Sequence, residues 1–278
     1  IYQQSFYRIT GHKASPNYPL QKLMWVRDHE PDIYGRTYKM LNAKDYIAFQ
    51  LTGIMATDFT DASSTNAFDL NANQWSGTLI DMAGIDGDKL PEVSPSTTVI
   101  GELTSRAAEA TGLRAGTPVV IGAGDGMCAT VGAGCITPGS AYNYIGSSSW
   151  ITMTAEKPVY DDEMRLETWV HPVPGYYNVG GTMQTAGACY NWLKNEVCTS
   201  EIQEAAGLGI SPYDIINELI LQSQPGARGI LFLPYLLGER VPYWNPHAKG
   251  AFIGITLSHT RRDILRSVLE GISYNLNS

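Results

Sequence analysis

Apolar positions recur at helical spacing in several stretches of this chain. Residues 19–29 carry Leu20, Leu23, Met24 and Val26 behind Pro19, a pattern that predicts a helix opened by proline. A second helix is predicted over 34–51, closed at Thr52-Gly53, and a short one over 78–83. Residues 103–112 read as another, with Thr104 as N-cap and Gly112 at its end. The run 117–121 is short and β-branched, hence a strand, and small residues over 128–134 follow it as a helix. Beyond the turn Pro138-Gly139 the texture changes. Residues 141–145 and 150–154 are β-prone and joined by Gly146-Ser147-Ser148-Ser149, which reads as a hairpin. Further strands are expected within 159–180, helices over 185–197 and 212–222, and short strands at 230–232 and 251–255. The last helix, 260–276, has the apolar face Ile264, Leu265, Val268, Leu269 and Ile272. Strands alternating with helices predict an α/β architecture in two units, divided between about 140 and 150.

With 278 residues the chain can bury a large core, and 44% hydrophobic against 17% charged residues is ordinary globular composition. A net charge of −8 argues against nucleic acid or an anionic membrane as partner, and no apolar run is long enough to span a bilayer. The cysteines at 128, 135, 189 and 198 lack zinc-site spacing. They read as reduced thiols of a cytoplasmic protein. The histidines at 12, 29, 171, 247 and 259 are scattered without metal or triad spacing. The chain starts without Met and stops within a predicted helix, so both ends are expected to be cut from a longer protein.

Candidate chemistry concentrates in Val119–Val131, where the strand runs into Gly122, Gly124 and Gly126 with Asp125 between the last two. Glycine lets backbone come close to a ligand, and the carboxyl end of a strand is where open α/β sheets bind. Asp125 is therefore a candidate general base; equally, it could simply cap the following helix. The glycine spacing is wrong for a dinucleotide fingerprint, and Met127-Cys128 stand where a P-loop needs Lys-Ser/Thr. The Gly146-Ser147-Ser148-Ser149 turn offers amides and hydroxyls as a phosphate cradle, or is a plain hairpin turn. It begins 21 residues after Asp125. A base and a cradle on opposite lips of an interdomain cleft would suit phosphoryl transfer. Residues 180–181 and 185–188 are a second glycine-rich approach, suited either to an anion at a helix start or to close packing. The loop 238–244 mixes charge with aromatics, as a cleft lining or a connector would.

Several of these residues form a longer pattern. Residues 22–29, KLMWVRDH, are similar to the first signature of the FGGY family of carbohydrate kinases, although Asn17 departs from it. Gly250, Phe252, Gly254-Ile255, Asp263-Ile264 and Ser267-Val268-Leu269-Glu270 resemble its second signature. Leu51-Thr52-Gly53, Thr57-Asp58 with Asp61-Ala62-Ser63, Gly238-Glu239-Arg240 and Tyr243-Trp244-Asn245-Pro246 add to the likeness. The resemblance implies an actin/hexokinase-like (ribonuclease-H-like) two-domain fold, both domains incomplete. Residues 1–143 would be the remainder of an amino-terminal sugar-binding domain, and 144–278 the first part of an ATP-binding domain. It implies Asp125 as catalytic base, with Asp125 and Gly126 at the sugar. Gly146, Ser147, Ser148, Gly187 and Asn191 would face the nucleotide, with Trp192 packing behind them. ATP and Mg2+ are the implied cofactors. A pentulose of the xylulose type is the expected substrate, with gluconate, glycerol or a non-catalytic sugar sensor as alternatives and a homodimer left open. Relatives often carry Gln or Asn after the base, where this chain has Gly126. Neither the Asp-x-Gly-Thr phosphate loop nor the late Gly-Gly segment is found, so the piece alone is expected to be inactive.

Overall fold

A computed structural model describes residues 2–278. They form two compact units, each assembled from separated stretches of chain. The first runs to Tyr142 and takes in Thr152–Gly180; the second is Asn143–Ile151 with Gly181–Ser278. The residue pattern placed one division between about 140 and 150, and the family resemblance implied it at 143/144. The compact units change there to within one residue, and change again at 151/152 and 180/181. Residues 152–180 go with the first unit because Val170 and Tyr177 pack on the buried Ala62, Phe68 and Leu70. Thr168 N–H also donates to Gly11 O at 3.1 Å, and Val170 N–H to Ser63 Oγ at 3.3 Å.

In the first unit the helix Pro19–His29 buries Leu20 and Leu23 against Ile80, Ala83, Ile85 and Leu90. The predicted helix over 34–51 is in fact two, Pro31–Arg36 and Ala43–Thr52. Between them the chain is extended at Thr37 and bonds to 88–90: Met40 N–H donates to Lys89 O at 2.7 Å, and Lys39 Nζ to Leu90 O at 2.8 Å. Those tertiary bonds displace the helix that the apolar spacing favoured, and Asn42 with Asp45 restarts it by a capping box. Gly53 ends it in the left-handed region, φ 76°. Short strand pairs frame the unit: Ala56–Asp58 runs parallel to Glu92–Ser94, and Val99–Glu102 antiparallel to Pro118–Val120. The helix Ser105–Thr111 starts from Thr104, whose hydroxyl accepts Ala107 N–H.

The sheet that carries the changes between units has four strands, in the order Ala141–Ile145, Ser149–Ala155, Tyr177–Met183, Glu167–Val170. In the second unit the core is Met183, Leu193, Ile216, Phe232, Leu265, Val268 and Ile272. It is built on the helix Arg261–Leu276, which opens with a Thr260/Asp263 capping box and packs against Leu231–Leu233. Ser223 and Thr260 bond the Asp263 carboxylate and hold it down at about 2. Two helices longer than five residues had no expectation from the sequence, Tyr2–Thr10 and Thr199–Leu208. The second is tied to the last helix by Glu201, which receives Arg261 Nη1 at 2.6 Å and Nη2 at 2.9 Å.

Among the described residues no helix is long and apolar enough to cross a membrane, and no group of three or more His, Cys, Asp or Glu is placed to hold a metal ion. All four cysteines are free thiols; Cys128 is exposed and the others are buried.

Candidate functional site

In the first unit the strand Pro118–Val120 leads through the predicted glycine turn into the helix Asp125–Gly132. That helix starts three residues earlier than the composition suggested, and Asp125 is its first residue. Gly124 occupies the cap position and no side chain caps the helix. Asp125 therefore does not serve as the N-cap. Its side chain is exposed and Oδ1 accepts the N–H of Gly126 at 2.8 Å. A carboxylate at the first turn of a helix also sits in the favourable field of the helix dipole.

The turn rests on the short helix Phe59–Ser63. Thr60 Oγ1, buried, accepts Gly124 N–H at 2.9 Å. Asp61 lies so close that a Cβ on Gly124 would stand 2.8 Å from its Oδ1, so any side chain there would oblige the Asp61 carboxylate to shift. Asp58 caps that helix, accepting Thr60 N–H at 2.9 Å and Asp61 N–H at 3.2 Å, and also receives Ser96 Oγ at 2.6 Å. Lys44 gathers the charges: its Nζ lies 2.8 Å from Asp45, 3.2 Å from Asp58 and 3.4 Å from Asp61. Burial works against the Lys44 cation, but the Asp45 hydrogen bond and the fields of Asp58 and Asp61 outweigh it and raise its pKa. Three carboxylates share that one cation. Burial pushes Asp61 up to about 6; Lys44 pulls it down, and the negative fields of Asp45 and Asp58 add to the rise. Lys44 Nζ also reaches Ile121 O at 3.4 Å, on the strand side of the turn.

Behind Asp125 a second set of bonds holds Gly126. Its carbonyl receives Thr130 Oγ1 at 3.0 Å and Tyr142 OH at 3.2 Å. Asn178, fully buried, donates Nδ2 to Thr130 Oγ1 at 2.9 Å and accepts Thr152 Oγ1 at 2.8 Å. Gly126 itself has room, with nothing within 4 Å of an added Cβ. Thr60, Asp61, Lys44 and Asn178 were not singled out as site residues. The motif 57–63 was visible, but its contact with the Asp125 turn, 64 residues away, is a tertiary fact.

In the second unit Gly146, Ser147, Gly187 and Asn191 meet around one open cavity of about 610 Å³, together with Ile145, Ala188, Trp192, Asn195 and Glu196. Ser148 is not among the residues lining it; its carbonyl closes the turn by accepting Gly146 N–H at 2.8 Å. The helix expected over 185–197 begins at Gly187 and continues as a π-helical turn over Leu193–Val197, a local widening that is frequent at functional sites. The amides at its start are already engaged: Ala186 N–H and Ala188 N–H donate to Ser147 O, and Gly187 N–H to Gly146 O, at 2.9–3.0 Å. Those amides therefore hold the hairpin turn, and a Cβ at Gly187 would collide with the Gly146 carbonyl oxygen. Below the site Glu239 is buried. It accepts Gln184 N–H and Arg240 N–H at 2.8 Å and Asn275 Nδ2 at 2.7 Å, which makes the 238–244 loop a brace for the approach to Thr185.

Models of two domains match this chain: the FGGY carbohydrate-kinase N-terminal domain over residues 1–132 and the C-terminal domain over 141–278. The chain is 34% identical over 270 residues to a gluconokinase of Bacillus subtilis, covering 97% of this chain and 52% of that protein. It is 36% identical over 269 residues to a xylulose kinase of Staphylococcus epidermidis, covering 97% and 52%. The ligand-bound crystal structure of a xylulose kinase from Lactobacillus acidophilus superposes with a TM-score of 0.89 at 29% identity, covering 99% of this chain and 54% of that one. The chain thus spans about half the length of the curated relatives it matches. Its fold is the two-domain actin/hexokinase-like one, and the chain belongs to the FGGY family of carbohydrate kinases.

Proposed function

We propose that the protein transfers the terminal phosphoryl group of ATP to a hydroxyl of a small sugar, with Asp125 as general base. The observation that carries the reading is the cavity itself. Gly146 and Ser147 on the hairpin and Gly187 and Asn191 on the helix, some 40 residues apart, converge on about 610 Å³ of open space. That volume is within the usual range for small-molecule sites. The residues present suit a nucleotide. The exposed Ser147 hydroxyl can donate to phosphate oxygens, the two glycines add no side chain beside it, and the Asn191 amide and the Trp192 ring can take polar and flat parts of a nucleoside. ATP supplies the phosphoryl group. Magnesium is expected to arrive on the nucleotide phosphates with its own waters, and we assign it no protein ligand.

In this reading the Asp125 carboxylate takes the proton of the acceptor hydroxyl as that oxygen attacks the γ-phosphorus. The bond from phosphorus to the bridging β–γ oxygen breaks, ADP leaves, and the proton on Asp125 passes to solvent. The Gly126 N–H donates to the carboxylate and steadies the oxygen that it uses. A pentulose of the xylulose type is our substrate reading. Gluconate competes directly, since one of the two relatives acts on each sugar and their identities differ by only two points.

The test is ADP release by the protein expressed at full length, measured on pentuloses, hexuloses, polyols and sugar acids. Asp125→Asn is expected to cut kcat by at least about a hundredfold with ATP affinity nearly unchanged. A near-normal kcat in that variant overturns the base. Sugar binding by calorimetry with no turnover in the wild type favours a sensor.

A further inference from the structure

An acid between two glycines ought to be poorly held, because glycine restricts the backbone least of all residues. Asp125 is in that position, yet both of its neighbours are fixed by buried side chains from elsewhere in the same unit. We propose that Thr60 and Asn178 are positioning residues for Asp125, one ahead of the acid and one behind it, which lock the Gly124–Gly126 backbone. The inference rests on the reading of Asp125 as base.

Ahead of the acid, Thr60 Oγ1 accepts Gly124 N–H at 2.9 Å. Thr60 is 1% exposed, so no water substitutes readily if the hydroxyl is lost. Its place is set in turn by Asp58, which accepts the Thr60 backbone N–H at 2.9 Å. Behind the acid the control is one of direction. The Thr152 hydroxyl donates to Asn178 Oδ1, so the Asn178 amide must turn its Nδ2 to Thr130. Thr130 Oγ1 then accepts, and its single proton goes either straight to the Gly126 carbonyl at 3.0 Å or to Tyr142 OH at 3.3 Å, which donates to that same carbonyl. Thr130 and Asn178 are both fully buried, and Tyr142 OH supports the same carbonyl. The chain from Thr152 to Gly126 therefore carries one polarity and ends on the Gly126 carbonyl, while the N–H of the same glycine donates to the Asp125 carboxylate at 2.8 Å.

Three variants separate this role from simple support of the fold. Thr60→Val keeps the shape and removes the acceptor, whereas Thr60→Ser keeps the acceptor. Asn178→Asp keeps the shape but presents only acceptors, which draws the Thr130 proton away from Gly126. Each is measured in the full-length protein by kcat, by KM for ATP and sugar, and by amide hydrogen exchange at Gly124 and Gly126. Thr60→Val and Asn178→Asp should lose about ten- to a hundredfold in kcat with both KM values within about twofold. Exchange at the two glycines should rise at least about tenfold while the helix Arg261–Leu276 stays protected. Thr60→Ser should restore both readouts. Wild-type kcat and unchanged exchange in folded Thr60→Val overturn the proposal, as does loss of kcat in Thr60→Ser equal to that in Thr60→Val. Should Asn178→Asp not fold, the Thr60 pair decides alone. Should the wild type not turn over, the kinase reading fails, and the exchange data still decide whether the two residues hold the turn.

Discussion

The two glycine turns that the sequence brought forward are held by different means. The Gly122–Gly126 turn enters on one backbone bond, Gly122 N–H to Ser96 O at 3.1 Å, and from there hangs on side chains: Thr60 on Gly124, Lys44 on Ile121, Thr130 and Tyr142 on Gly126. The Gly146–Ser148 turn hangs on backbone, its carbonyls taken by the amides of residues 186–188. A turn held by side chains can be loosened by substitutions far away in sequence, and its support can carry charge and respond to pH. A turn held by backbone is insensitive to most side-chain changes. It is vulnerable where the two main chains touch, at Gly187.

That difference gives the largest expected effect. Gly187→Ala places a methyl group against the Gly146 carbonyl oxygen, and two main chains must separate to admit it. We expect a loss of about 3 kcal/mol in stability, together with weakened nucleotide binding, because the displaced residues line the cavity. Gly126→Ala is the paired control. An added Cβ there meets nothing within 4 Å, and the position lies in a helix. Alanine should leave stability unchanged or raise it by about 0.5 kcal/mol. Chemical denaturation of both variants, with calorimetric titration of ATP, checks the pair. Equal losses would remove the distinction between the turns.

Glu239→Ala sharpens the comparison on the side of the second unit. The carboxylate is the one buried side chain that accepts the Gln184 and Arg240 amides, just ahead of the backbone-held segment. Removing it leaves both amides unpaired, for a loss of about 2 kcal/mol in denaturation experiments. ATP affinity should fall less than in Gly187→Ala, since residues 186–188 keep their own bonds to the hairpin.

The same contrast explains what could be read from the sequence. Elements with local causes were legible. The Thr104 cap, the closures at Gly53 and Gly112, the hairpin at 146–149 and the capped helix Arg261–Leu276 all stood in the pattern of residues. Elements decided by distant partners were not. The predicted helix over 34–51 broke where residues 37–40 bond to 88–90. The amides at Gly187, open to an anion on sequence grounds, turned out to be spent on the hairpin. Asp125 stood out because glycines flank it. Thr60 and Asn178 have no such local mark, and only the fold brings them to the turn.

An effect smaller than the losses at Gly187 and Glu239 has the opposite sign and belongs to the Gly122–Gly126 turn. Asp61 shares Lys44 with Asp45 and Asp58, and burial lifts its pKa from 3.8 to about 6. Between those values the folded protein holds a proton that the unfolded chain has released. The Asp61 contribution to stability is therefore greatest in acid; it falls as pH rises through about 4 to 6 and stays low above that. Asp61→Asn keeps the shape, removes the surplus negative charge and leaves Lys44 its bonds to Asp45 and Asp58. The variant should be more stable than the wild type by about 1 kcal/mol at neutral pH, with the difference shrinking towards about pH 4. Urea denaturation of the two proteins across that range measures it. A variant less stable at every pH would mean that Asp61 supports the turn by pairing with Lys44. A gain confined to neutral pH would mean that this carboxylate is kept at a cost to the fold, as charges beside working sites often are.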